Sequence, residues 1–206
     1  TEGVRAPSDT QARTLTEALE YHVERQPDRL TVFMYEEQKE FPLSYRALWD
    51  GAIGYAAQLT RAGLQRGQMV AIMLPTCKEY LYSFYGVLLA GGVPVPLYPP
   101  ARLTTIEDHM TRHVGILKSA GAAIMITVPE AKAFVYLLRA QVESLRLVLV
   151  PPGEFEHRGE AGARRLRITR PYFLGATEVT RGQFAAFVQA AGDRTEAERQ
   201  GGAFAL

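Results

Sequence analysis

The chain has 206 residues, 47% of them hydrophobic and 22% charged, a balance that fits one or two folded domains and excludes disorder over the whole length. A formal net charge of +1, with Lys and Arg scattered along the sequence, leaves no electrostatic case for nucleic acid or an anionic membrane surface as the main partner. The single cysteine, Cys77, can form neither an internal disulfide nor a thiolate metal cage, which favours a reducing, cytoplasmic location. No stretch approaches the roughly 18 to 20 uninterrupted apolar residues of a membrane span. The longest apolar run, Tyr80 to Pro96, is broken by Ser83, by three glycines and by Pro94. The N-terminus shows no signal-peptide pattern.

Residues 1–13 are polar and read as a mobile lead-in. Apolar positions at spacings of three and four from Leu15, with Thr14 or Thr16 as cap, predict a helix to about Arg25, closed by Pro27-Asp28. Leu30 to Tyr35 and Phe41 to Leu43 read as the strands of a hairpin around a charged turn. Ser44 caps a long helix with an inner face of Leu48, Ala52, Tyr55, Ala56, Leu59 and Leu64, and Gly63 to Gly67 ends it. A buried strand at Met69 to Leu74 leads into a helix from Cys77 to Ala90. Then come Gly91-Gly92 and a strand from Val93 to Leu97.

After the Tyr98-Pro99-Pro100 stop, a helix from Thr104 to Ser119, a strand from Ala123 to Thr127, a helix from Pro129 to Ala140 and a strand from Leu145 to Val150 continue the alternation. Solidly apolar strands joined by helices imply an α/β fold with a doubly wound parallel sheet covered on both faces. Such sheets bind ligands at the carboxyl ends of their strands. At Pro151-Pro152-Gly153 the rhythm stops, so a boundary is expected near residue 150, dividing 14–150 from 151–206. Beyond it, 154–165 is charged and glycine-containing, Arg167 to Thr169 and Tyr172 to Leu174 read as short strands, Thr180 caps a helix to Ala191, and Gly201 to Leu206 begins another strand.

Few side chains suggest chemistry. His109 and His113 share one face of a predicted helix, but a metal needs a third ligand, and they read as packing residues. Cys77 in a first helical turn has no base to activate it and reads as an inert core thiol. Ser83, Ser119 and Thr127 lack the strained elbow of a serine nucleophile. Gly91 and Gly92 follow a helix and precede a strand, the reverse of the order that aims amides at phosphate, so they read as a helix cap.

Leu88 to Arg102, Leu-Leu-Ala-Gly-Gly-Val-Pro-Val-Pro-Leu-Tyr-Pro-Pro-Ala-Arg, resembles the "LxAGxxxVPL-P" segment of adenylate-forming acyl ligases, and its Tyr-Pro-Pro-x-Arg ending resembles the fatty-acyl-AMP ligase branch. Leu43-Ser44-Tyr45-Arg46-Ala47-Leu48, Val70 to Pro75, and Asp108-His109 with Arg112 to Leu117 extend the resemblance over residues 14–150. It implies activation of a fatty acid by ATP and magnesium and transfer to an acyl carrier protein. In an intact ligase, Tyr98, Pro99, Pro100 and Arg102 would line the pocket. The chain lacks the Ser/Thr/Gly-rich loop ending in Pro-Lys-Gly, the later acidic nucleotide motif and the catalytic lysine tail. No cofactor and no catalytic residue are therefore expected of this chain alone.

Residues 148–206 resemble the opening of the formylglycine-generating, sulfatase-modifying enzymes, through Val150 to Phe155, Ile168 to Gly175 and Glu178-Val179-Thr180-Arg181-Gly182-Gln183-Phe184. The expected fold there is a short α+β segment like the start of that C-type-lectin-like domain. Glu156-His157-Arg158 replaces the family's Met-Gly-Ser, and its catalytic cysteines and calcium-site residues are missing. The function expected is that of a derived, inactive acyl-activating ligase. The alternatives are a formylglycine-generating oxidase relative and a truncated or fused scaffold, since two opening fragments in one frame fit a fusion, a truncation or a misassigned frame. A sheet cut short also predicts self-association through an exposed edge.

Overall fold

A computed structural model describes residues 12–36, 39–99, 106–128, 131–151, 153–159, 162–168 and 172–174. Two local signals start the chain. The Thr14 hydroxyl accepts the Glu17 N–H at 3.1 Å and starts α1, Leu15–Arg25; the Ser44 hydroxyl accepts the Ala47 N–H at 3.2 Å and starts α2, Tyr45–Arg61. Each bond satisfies one of the N–H groups that a helix start leaves unpaired. Between them β1, Leu30–Glu36, and β2, Lys39–Ser44, pair antiparallel, with Met34 opposite Phe41. Leu19, Val23, Leu43 and Leu48 bury the contact of the hairpin with α1 and α2.

The main sheet is built from β3, Met69–Met73, β4, Val93–Pro96, β5, Ile124–Thr127, and β6, Leu147–Val150, all parallel and arranged β4-β3-β5-β6. The crossovers are α3, Lys78–Leu89, α4, Ile106–Ala120, and α5, Lys132–Gln141. Alternation along the strands separates two cores. Val70, Ile72, Ile124, Ile126 and Leu149 face the cluster with Tyr55, Leu59 and Val87 from α2 and α3. Ala71, Met73, Met125 and Val148 face Leu117, Phe134 and Leu138 from α4 and α5. Helices on both faces are why these strands read as continuous apolar runs.

Gly91, at φ +78, ends α3 where a residue with a Cβ would be strained. β4 runs along the sheet edge with its inward amides used: Val93 N–H donates to the Gln68 carbonyl at 2.9 Å and Leu97 N–H to the Ile72 carbonyl at 2.8 Å. By the two-residue period Val95 faces inward as well, so the outward positions are Pro94 and Pro96, which have no N–H. The self-association expected through an exposed edge therefore meets no row of donors on β4.

Past Val150 the structure adds to the sequence expectation. Residues 154–165, charged and glycine-containing, form most of a hairpin of β7, Gly153–Gly159, and β8, Gly162–Ile168, whose end holds Arg167 and Ile168 of the expected strand, with Glu154 opposite Arg167 and Glu156 opposite Arg165. Then β9, Tyr172–Leu174, pairs antiparallel with β6 as the fifth strand of the main sheet. All described residues belong to one compact unit that ends at Leu174. Thr169, the predicted helix from Arg181 to Ala191 with its Thr180 cap, and the strand predicted from Gly201 lie outside the described residues.

Candidate functional site

The carboxyl ends of β3 and β4 open, with the β1 strand of the hairpin, into a groove of about 850 Å³. Phe33 and Tyr35 come from β1, Leu74 to Cys77 from the turn after β3, Tyr80 and Leu81 from α3, and Pro96 to Pro99 from the end of β4. The lining residues include no Asp, Glu, Lys, Arg or His. Phe33 is 57% exposed, Tyr35 69% and Tyr98 86%, so aromatic surface stands open on both sides. The groove is suited to an apolar or aromatic body, and its described residues provide no charged group to grip an ion.

The predicted pocket residues divide. Tyr98 and Pro99 line the groove; Pro100 and Arg102 lie outside the described residues. Cys77, named at sequence level only as an inert core thiol, is also in the wall, half-buried, as the N-cap of α3 with no side-chain cap bond. The β1 residues were not singled out from the sequence, because only the fold brings the hairpin opposite the strand ends. The signal available in the sequence was the pair of aromatics, Phe33 and Tyr35, on one face of an alternating strand.

The two helical histidines do not converge on a metal. Their rings stand 5.9 Å apart, and both nitrogens of buried His113 lie against backbone carbonyls: Nε2 at 2.9 Å from Tyr98 and Nδ1 at 2.6 Å from His109. Among the described residues no three His, Cys, Asp or Glu gather as a metal site. Thr127 is buried at the end of β5, where its hydroxyl donates to the Met73 carbonyl at 3.1 Å and bridges β3 and β5, the parallel strands from which the sheet is extended in opposite directions, by β4 and by β6.

Behind the groove, Tyr55 is buried between α2 and α3, and its hydroxyl has no hydrogen-bond partner among the described residues. Burial raises its pKa well above the ordinary tyrosine value, and the charge of Glu79 adds to the effect. Burial raises Tyr82 and Tyr85 in the same direction.

The turn after α3 offers no free amide to a phosphate. The amides of Gly91 and Gly92 already donate to the Leu88 and Val87 carbonyls at 3.0 and 2.9 Å, closing α3 instead of facing a phosphate. No chemical step is assigned to ATP or magnesium. Among the described residues no helix is long and apolar enough to cross a membrane.

Residues 19–167 match the family model of the AMP-binding enzymes, and residues 137–204 match the sulfatase-modifying factor enzyme 1-like domain. A long-chain-fatty-acid–CoA ligase of Bacillus subtilis is 38% identical over 89 residues, covering 42% of this chain and 15% of its own length. A 4-coumarate–CoA ligase of Pinus taeda is 33% identical over 75 residues, covering 35% of this chain and 12% of its own length. A structure from a study of fatty acyl-adenylate ligases of E. coli and L. pneumophila superimposes with a TM-score of 0.59 at 28% identity, over 68% of this chain and 25% of the other. A fatty acid AMP ligase from Legionella pneumophila, at 22% identity and a TM-score of 0.55 over 60% of this chain and 21% of its own, shares the fold. The chain thus spans a small part of the length of the relatives it matches. On the family match, with a parallel sheet of the same architecture, the chain belongs to the AMP-binding enzyme family.

Proposed function

We propose that this chain derives from an acyl-activating ligase that makes fatty acyl-adenylate from a fatty acid and ATP, and that it retains an apolar acyl-binding surface without adenylating activity of its own. The groove at the carboxyl ends of β3 and β4, apolar and flanked by Phe33, Tyr35 and Tyr98, is the observation that supports this reading. Binding there draws on removal of hydrocarbon from water, about 0.8 kcal/mol for each fully buried methylene. Adenylation also requires charge stabilisation at the α-phosphate by a phosphate loop and a lysine or metal. The sequence has no such loop or lysine motif, and ATP, magnesium and the acyl carrier protein belong to the activity of an intact relative. The lone cysteine supports a reducing, cytoplasmic location.

The test uses the purified chain. Dodecanoate is expected to bind more tightly than octanoate, with no fatty-acid-dependent exchange of pyrophosphate into ATP. Equal affinity for the two acids would remove the acyl-binding reading, and measurable exchange would remove the inactivity. A non-catalytic fused scaffold is the second reading, favoured by the return of β9 to the β6 edge. A formylglycine-generating oxidase gains no such support, because the only cysteine, Cys77, lies outside the matching segment.

A further inference from the structure

One wall of the groove is held by a residue that does not line it. Leu97, Tyr98 and Pro99 follow the last residue of β4, and the ladder bond there is from Leu97 N–H to the Ile72 carbonyl. The Tyr98 side chain, 86% exposed, gives no anchorage by burial. Its backbone carbonyl oxygen lies 2.9 Å from Nε2 of His113, within hydrogen-bond distance across 15 residues, in the middle of α4. His113 is 2% exposed, and its ring meets Phe134 of α5 edge-on with centroids 5.5 Å apart. Packing against α5 therefore fixes the ring that fixes the wall. A carbonyl only accepts, so the bond to Tyr98 requires the N–H at Nε2, and a ring with one N–H serves only one of its two carbonyl neighbours.

We propose that His113 is a positioning residue: by donating from Nε2 to the Tyr98 carbonyl it holds the β4 wall in place and sets how well the groove takes an acyl chain. The acyl part rests on the function proposed above; the holding of the wall does not. Replacements separate donor position from ring shape. In H113Q the amide nitrogen reaches about as far as Nε2. In H113N it reaches only as far as Nδ1, and H113L removes both donors while keeping apolar bulk.

The experiment uses the full chain and compares wild type, H113Q, H113N and H113L. Hydrogen exchange is read at the Leu97 amide relative to the core amide of Ile126, which removes any change in global stability, and dodecanoate affinity is read by calorimetry. H113Q is expected to stay within about twofold of wild type. H113N and H113L are expected to lose about tenfold in relative Leu97 protection and a similar factor in affinity, the worth of one buried hydrogen bond. If one of these two does not fold, the other against H113Q decides. H113N matching H113Q, or Leu97 and Ile126 losing protection together in every variant, would overturn the proposal. If wild type binds no dodecanoate, the acyl part is refuted, and the Leu97 comparison alone then decides whether His113 holds the wall.

Discussion

Gly86 of α3 lies so close to Tyr55 of α2 that a methyl group on it would stand 2.5 Å from the Tyr55 Cβ and 2.9 Å from the Ala52 carbonyl oxygen. Both neighbours belong to a helix packed against the sheet, so neither can retreat without moving α2. Gly86→Ala would gain about 1 kcal/mol of helix propensity, yet the overlap with backbone is expected to dominate, leaving a net loss of roughly 1–3 kcal/mol. A lowered urea midpoint at unchanged slope is the expected result; an unchanged or raised midpoint would show that the helices can separate freely.

Tyr55 itself carries an unmatched hydroxyl in that contact. Removing a buried polar atom that has no partner relieves its desolvation, so Tyr55→Phe is expected to stabilise the chain by about 1 kcal/mol. The pH dependence follows from the raised pKa, caused first by burial and then by Glu79. The unfolded chain loses this proton near the ordinary tyrosine value of about 10 while the folded chain keeps it. The unfolded state then binds fewer protons, so stability falls as pH rises through about 10 and continues falling toward the higher folded value. Denaturation midpoints between about pH 9 and 11 are expected to fall less steeply in Tyr55→Phe. Some fall remains, because Tyr82 and Tyr85 are raised in the same sense. Parallel curves for the variant and wild type would mean that the hydroxyl is hydrated in solution.

β9 and β6 make a further prediction. Val148, Leu149 and Val150 pair with Leu174, Phe173 and Tyr172, so the segment that matches a second family supplies a strand to the first family's sheet. A chain ending at Val150 would leave β6 as an apolar edge with unpaired backbone groups, whereas one ending at Leu174 keeps the cover. The shorter chain is expected to aggregate or oligomerise in sedimentation, and the longer to remain as dispersed as the full chain. Equal behaviour of the two would show that β9 is dispensable to the sheet.

The parts legible in the sequence are those encoded over a few residues. Thr14 and Ser44 announce helix starts by their own side chains, and the runs at Met69 to Met73 and Ile124 to Thr127 identify strands covered on both faces. The hairpin of β7 and β8 was seen only at its Arg167 end, because Phe155 between Glu154 and Glu156 and Leu166 between Arg165 and Arg167 give too few apolar residues to mark strands, and only the pairing register shows the two segments as partners. The groove was half visible. Tyr98 and Pro99 follow a predicted strand end, where open sheets bind ligands, but Phe33 and Tyr35 arrive from a hairpin far earlier in the chain, which only the fold brings alongside. Likewise the His109 and His113 spacing gave a shared face, but not the Tyr98 carbonyl that one of the rings meets.

The prolines of β4 carry the last prediction. Val93 and Leu97 turn their amides toward β3, so Pro94 and Pro96 occupy the positions whose amides would otherwise face outward. An edge that offers acceptors but no donors cannot template a full ladder with another strand, which keeps a flat apolar edge from pairing. Pro94→Thr with Pro96→Thr restores two outward donors on residues suited to strands and leaves the bonds to β3 in place. The double variant is expected to shift toward dimers or larger species in sedimentation as concentration rises, with a rise in strand signal by circular dichroism. Sedimentation unchanged from that of the wild-type chain, with the variant folded, would show that this edge is protected by something other than its prolines.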